Sequence, residues 1–585
     1  MTEAPAGAMP PAKLTSGNRW ILAAIVLLGA VLRFVWLDKI PPGLWYDEAL
    51  YSLDGWRVSQ GHFALFFAEH GHPREPLFPW MLGAAFALFE PTVLVARCVS
   101  AACGSIAVAL MFPAARRFLP PGWALAATAA FAVFRWPVHF SRTIFRAGLA
   151  SPMALLTIWL FLRWRERRRP LDAALCGAAA GACLYTYISL RVLPVLLLLW
   201  LAWMAWKRTL NLRREWKQIA VIFGTTAIIF LPLAIDYVRH PEHLFGRTDE
   251  ISMFEKDVQR ETPDGKSETV RIAKSPSEAV AGIWQNAVGV AMVWFIRGDY
   301  VARHGVPYRP IFDPVTGVAF AAGILLSMAG IFGIGWQWRP GRKKRVSQPP
   351  DPNDSLLPFM MMTWFGAFAA ASIFSFGAPN ILRMQGASPV VILLMMSGLR
   401  SAVIAIPGPA GPGMRRGVAA AVLVFFGALQ LNDYFRVFPA DLRVRSAFGA
   451  DFFAAPAEAA DAVALDVDTV YVPSEFLDSL QVKFLTIRRK NIIGYAPDEP
   501  LPRGRDAGPG KGEKEPQAGG GRAAWLLTAR SLQLAQAAGQ DQEAQVHAIP
   551  GAYLARTFFL PLPDRNGQLR AREPWAELWV RHKAQ

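Results

Sequence analysis

Apolar runs of about 20 residues, the length that crosses a bilayer core, recur along the chain between short polar or basic loops. Eleven stand out: 20–37, 93–114, 123–140, 144–162, 171–188, 190–206, 218–236, 314–336, 357–376, 388–406 and 417–435. Two further runs, 76–89 and 282–296, are shorter. At ~1.5 Å per residue they make roughly 21–23 Å of helix, less than the ~30 Å hydrocarbon core. The expectation is an all-α polytopic membrane protein with about eleven spanning helices. Residues 436–585 lack a spanning run. "DTVYVPS" (468–474) and "AAWLLTA" (523–529) read there as strands, and "RSLQLAQAAGQ" (530–540) as a helix. This tail is expected to be a small α/β domain. Its segment 499–522, rich in Pro, Gly and charge, reads as a flexible insert.

Basic clusters orient the spans. "RWRERRR" (163–169), "KRTLNLRREWK" (207–217), "RPGRKKR" (339–345) and "RR" (415–416) are the densest, with Arg116–Arg117 and Lys13/Arg19 weaker. If 76–89 and 282–296 stay on one surface as interfacial or re-entrant helices, every cluster falls on one side, the cytoplasmic one. The N-terminal tail 1–19 is then cytoplasmic. The spanning region is 20–435, with outer loops 38–92 and 237–313, and residues 436–585 lie outside the cytoplasm. Arg33 interrupts the first apolar run, and no small-residue cleavage site follows, so that run reads as an uncleaved span.

Composition agrees: 53% of residues are hydrophobic, with 21 Trp and 38 Phe, which excludes an ordinary soluble enzyme. The net charge of +17 is first a topogenic signal. Because the basic clusters sit at the ends of apolar segments, nucleic acid is not an expected partner. All four cysteines lie inside apolar stretches and read as small core residues.

Polar residues of chemical interest gather on the outer side. "GLWYDEALYS" (43–52) sets Asp47 and Glu48 among aromatics just after the first span. Asp47 reads as a carboxylate facing a lipid-borne substrate, against the plainer reading of a helix-start acid. Glu48, its helical neighbour, points about 100° away. The same loop holds His70, His72, Arg74 and Glu75; the histidines suit a divalent metal or simple solvation. Arg142, Arg146, Arg191 and Arg383 sit at outer helix ends. Any one of them is explained by snorkelling, but together they suit a phosphate, which a guanidinium fork binds bidentately. "RGDYVARHG" adds Asp299, Arg303 and His304 as a loop network or substrate site.

The ordered set "WYDEA", "GHPREPLFPW", "SRTIFRAG", "YTYISLRVLP", "RGDYVARHGVPYRPIFDP" and "NILRMQGASP" resembles the GT-C membrane glycosyltransferases. Its bacterial subgroup similar to protein O-mannosyltransferases and the lipid A aminoarabinose transferase is the nearest. The resemblance spans about residues 20–400. It implies a polyprenyl-phosphate sugar donor, a lipid, glycan or protein acceptor, inversion at the anomeric carbon, Asp47 as general base, and Glu48 beside it as a second catalytic residue that binds acceptor or a metal. Arg74, with Glu75, stands where many members carry a Lys. Tyr187 and the outer arginines fall in the motifs expected to line the substrate site. Ala147 stands where protein O-mannosyltransferases carry an acid after "SR", which argues against a protein acceptor. The alternatives are a transferase of another lipid-phosphate head group and a non-enzymatic flippase or scaffold.

Overall fold

The computed structural model describes residues 15–69, 73–244, 246, 252–261, 267–333, 355–406, 411–502, 522–549, 552–563 and 569–581. Among them, nine helices are long and apolar enough to cross a membrane: Ser16–Phe34, Val93–Phe118, Arg146–Arg167, Ile188–Trp206, Leu212–Arg239, Pro314–Ile331, Leu356–Ile373, Gln385–Ile404 and Pro412–Ala440. Leu77–Leu88, Pro121–Val133 and Pro170–Cys183 are shorter apolar helices. Each of the eleven expected segments therefore corresponds to a helix.

Two segments differ in detail. The run 123–140 is not one helix: it stops at Val133, Phe134 is extended (φ −65°, ψ 115°), and a six-residue helix Arg135–Phe140 follows. Pro137 explains the break, since a proline ring in a continuous helix would meet the carbonyl four residues back, that of Val133. The run 171–188 ends its α-helix at Cys183. A 3₁₀ turn, Ile188–Arg191, then leads into Val192–Trp206 and places Pro194 in that helix's first turn, where a missing N–H is harmless. These two helices have 13 and 14 residues, about the length used to set 76–89 and 282–296 apart. Length alone therefore does not separate spanning from surface helices here. The first short run forms Leu77–Leu88, and the second lies largely within a 17-residue helix, Pro276–Met292.

The chain divides into two compact units. The first comprises 1–35, 63–80 and 98–435. Its helices meet through small residues, as membrane helices do in the absence of a hydrophobic drive between them. A Cβ at Gly323 would lie 1.9 Å from the Leu394 carbonyl oxygen, and one at Gly398 would lie 1.8 Å from that of Ala319. Helices Pro314–Ile331 and Ser388–Ile404 thus touch backbone to backbone. A hairpin of β1 (Glu255–Glu261) and β2 (Ser267–Ala273) precedes the helix Pro276–Met292.

The second unit joins 36–62 and 81–97 to 436–585, so the two end portions of the first outer loop pack with the tail. Its sheet contains β3 (Thr469–Pro473), β4 (Ile492–Tyr495), β5 (Ala523–Thr528), β6 (Ala552–Pro563) and β7 (Leu569–Arg581), in the order β4-β3-β5-β7-β6. β3 runs parallel to β4 and β5; β7 runs antiparallel to both β5 and β6. Both faces of β3 and β5 are buried, which is why their sequences are apolar without alternation. Val470, Val472, Ala524 and Leu526 join one core, and Tyr471, Trp525 and Leu527 join another. Strands β3 and β5 and the helix Ala529–Ala537 match the sequence expectation. The expected flexible insert falls mostly on 503–521, outside the described residues.

Candidate functional site

Asp47 and Glu48 open the helix Tyr46–Ser59, and their environments differ sharply. Glu48 is fully buried. Its Oε2 accepts the Trp45 backbone N–H at 3.0 Å and lies 3.5 Å from Arg97 Nη2. Arg97 in turn donates to the carbonyls of Pro41 (2.9 Å) and Gly43 (2.7 Å). Leu44 N–H donates to Phe448 O at 2.9 Å, which ties the start of the helix to the C-terminal part of the same unit. The helix also packs closely on Leu82: a Cβ at Gly55 would lie 2.5 Å from that side chain. Glu48 thus closes a helix start and neutralises a buried arginine. Asp47 is half-buried and makes no hydrogen bond or ion pair among the described residues. One carboxylate of the pair is committed to structure, and the other is available for chemistry.

In the first unit, four predicted residues come together. Glu75, 4% exposed, forms an ion pair with Arg146 and accepts from Arg191 Nη2 at 3.1 Å. The Arg146 guanidinium lies 5.9 Å from the centroid of the Tyr187 ring. Arg191 also donates to Tyr237 Oη (3.0 Å) and Leu244 O (3.2 Å). Leu77 N–H donates to Tyr185 O at 3.0 Å, anchoring the Glu75 segment to the chain that carries Tyr187 and Arg191. Counting Glu75, Arg146 and Arg191 alone, the cluster carries one net positive charge. Tyr237 and the neighbouring Asp236–His243 pair (2.6 Å) escaped the sequence reading. They lie at the end of an apolar helix, and only their polarity there marked them.

Arg74 pairs its backbone with Phe67 and donates from Nη2 to Glu69 O at 2.8 Å, so at least part of its guanidinium closes its own loop. Arg142, fully buried, donates to Leu32 O at 2.8 Å and stacks over Tyr434 and Phe435. His70 and His72 lie outside the described residues. Among the described residues, no cluster of three or more His, Cys, Asp or Glu has a metal-binding arrangement.

The predicted Asp299–Arg303–His304 network is present. Asp299 Oδ2 accepts from His304 Nδ1 at 2.7 Å and from the Ile381 N–H at 3.0 Å, while its Oδ1 accepts the Val301 N–H at 2.9 Å. His139 Nε2 lies 2.8 Å from Arg303 O. Burial holds the His304 imidazole below its usual pKa; Asp299 opposes that shift, and Arg303 and Arg383 add to it. Arg383 donates to Ser375 Oγ and Phe376 O. The sequence reading did not single out Asp433, which accepts two bonds from Arg309, both at 2.9 Å, and pairs with Arg135.

Three comparisons bear on this geometry. Residues 71–235 match the family model described as Dolichyl-phosphate-mannose-protein mannosyltransferase. That stretch is well under half of the chain, but it contains Glu75, Arg146, Tyr187 and Arg191. No curated protein matches the chain in sequence. Among solved structures, ArnT from Cupriavidus metallidurans bound to undecaprenyl phosphate aligns over 97% of this chain and 98% of its own, at 14% identity and a TM-score of 0.50. The chain has the GT-C fold. The chain is also similar to the S. cerevisiae protein O-mannosyltransferase Pmt1-Pmt2 complex bound to the sugar donor, at 11% identity. That match covers 75% of this chain and 91% of the other, with a TM-score of 0.49. The expected resemblance thus stands for ArnT at the level of fold, and for mannosyltransferases in the match over residues 71–235.

Proposed function

We propose that this GT-C protein transfers a sugar from a polyprenyl-phosphate donor to an acceptor hydroxyl at the outer face of the cytoplasmic membrane. The observation that carries the reading is the contrast within one helix turn between the committed Glu48 and the uncommitted Asp47. The mannosyltransferase match over 71–235 and the fold shared with ArnT support the same class of donor.

In this reading Asp47 takes the proton of the acceptor hydroxyl as the acceptor oxygen attacks the anomeric carbon. The bond from that carbon to the phosphate oxygen breaks with inversion, and the lipid phosphate departs with the electron pair. Arginines meet the charge that grows on the leaving phosphate, where electrostatic stabilisation acts most strongly. Glu48 is a positioning residue that fixes the helix start on which Asp47 stands. The test is sugar transfer by the purified protein from synthetic polyprenyl-phosphate sugars, with nucleotide sugars as the control donors. Turnover with a lipid-phosphate donor supports the reading. Turnover with nucleotide sugars alone, or with none of the donors, refutes it.

A further inference from the structure

The second unit holds a cleft of about 370 Å³ lined by Leu442, Arg445, Asp451 and Ala455 on one side and by Arg556–Phe559 and Arg572 on the other. That volume is at the small end of small-molecule sites, ~300–1,000 Å³. The strand side is unusual in that four consecutive residues of β6 reach the cleft, although side chains of a regular strand alternate between faces. Register shifts at Leu554/Arg556 and Phe558/Phe559 account for this, since bulges re-aim side chains.

The charges are unevenly matched. Arg445 is held by Asp451 through Nε (3.1 Å) and a second contact from Nη2, so that pair braces the wall Leu442–Ala454. Arg556 and Arg572 have no carboxylate at ion-pair distance among the described residues. The lining thus carries three guanidiniums against one carboxylate. Glu458, outside the lining, interacts electrostatically with Arg556. The Arg556 guanidinium sits 5.0 Å from the centroid of the Phe558 ring, which limits its motion. Phe559 leaves 47% of its surface exposed beside it, and Thr557 adds a hydroxyl. Guanidinium forks recognise oxyanions, while an exposed aromatic face beside them offers a platform for the C–H face of a sugar ring.

We propose that this cleft binds an anionic saccharide, its phosphate or carboxylate held by Arg556 and Arg572 and its ring against Phe559. The site is independent of the proposed transfer chemistry, because binding can be measured without a sugar donor.

The experiment is calorimetric titration of the full chain in neutral-lipid nanodiscs with glucose 6-phosphate, glucuronic acid, glucose and inorganic phosphate. Both anionic sugars are expected to bind and glucose is not. The double variant Arg556→Gln/Arg572→Gln should weaken binding by roughly tenfold or more, the loss of a charge-assisted contact. Arg530→Gln, an exposed arginine of the helix Ala529–Ala537, should leave binding unchanged, and thermal unfolding checks that both variants fold. Unchanged binding in the double variant, or inorganic phosphate binding as tightly as the sugar phosphate, would overturn the proposal. So would complete loss of sugar binding when phosphatidylglycerol is added to the nanodisc, which would make a lipid head group the occupant.

Discussion

Replacing Glu75 by Gln tests whether its cluster is built as described. The substitution keeps shape and one acceptor but removes the charge. Arg146, a buried guanidinium 8% exposed, then loses this carboxylate. Breaking a buried pair by removing one partner costs about 3–5 kcal/mol, mostly from the stranded charge. The Arg191 contact adds no more than ~1 kcal/mol, because that side chain is 23% exposed and keeps Tyr237 and Leu244 as partners. The assay is the thermal unfolding midpoint of purified protein in detergent at a fixed scan rate. A clear fall is expected for Glu75→Gln. Glu75→Met/Arg146→Met, which removes both charges, should recover much of it, since replacing a whole buried pair is often near neutral. A Glu75→Gln midpoint equal to that of the parent protein would refute the reasoning. Loss of turnover with that midpoint unchanged would instead make Glu75 the reacting acid.

Three further outcomes follow from the geometry. Gly398→Leu should destabilise the first unit by more than a typical ~1 kcal/mol substitution, because even a Cβ there would lie 1.8 Å from Ala319 O; unfolding in detergent reads this. Glu48→Gln should lower the unfolding midpoint as well as turnover, since it uncovers Arg97, whereas Asp47→Asn should leave the midpoint alone. The His304 imidazole has a folded-state pKa below its ordinary 6.5, through burial. Its contribution to stability is therefore complete above about pH 6.5 and is lost as pH falls through the lower folded value. Protection against hydrogen exchange in the 299–313 loop, corrected for the intrinsic pH dependence of exchange, should fall as pH drops below about 6.5, and His304→Asn should remove that dependence.

Much of the fold was legible because spanning helices announce themselves by length and uninterrupted apolarity. The break at Phe134 was also encoded, in Pro137, but a hydropathy window averages across it. The composite second unit was not legible: no local pattern says that 36–62 and 81–97 pack with residues 400 positions later. Strands β6 and β7 were missed because bulges and prolines disturb their alternation. At the site, the acid pair was visible, but which of its members is spent was not. That depends on Arg97, whose place inside an apolar run marks it as exceptional without naming its partner. Arg146, Arg191 and Glu75 were each picked for residue type and position, and the structure shows them meeting.

Asp47→Asn measures the central claim most directly. The amide keeps the size and polarity of the side chain but takes no proton. With a synthetic polyprenyl-phosphate sugar, donor affinity and unfolding midpoint should match the parent protein, while turnover falls by about 10²-fold or more, the usual scale for a general base. An Asp47→Asn protein that keeps most of its turnover would contradict the account and leave the acid pair as no more than a helix start at a membrane surface.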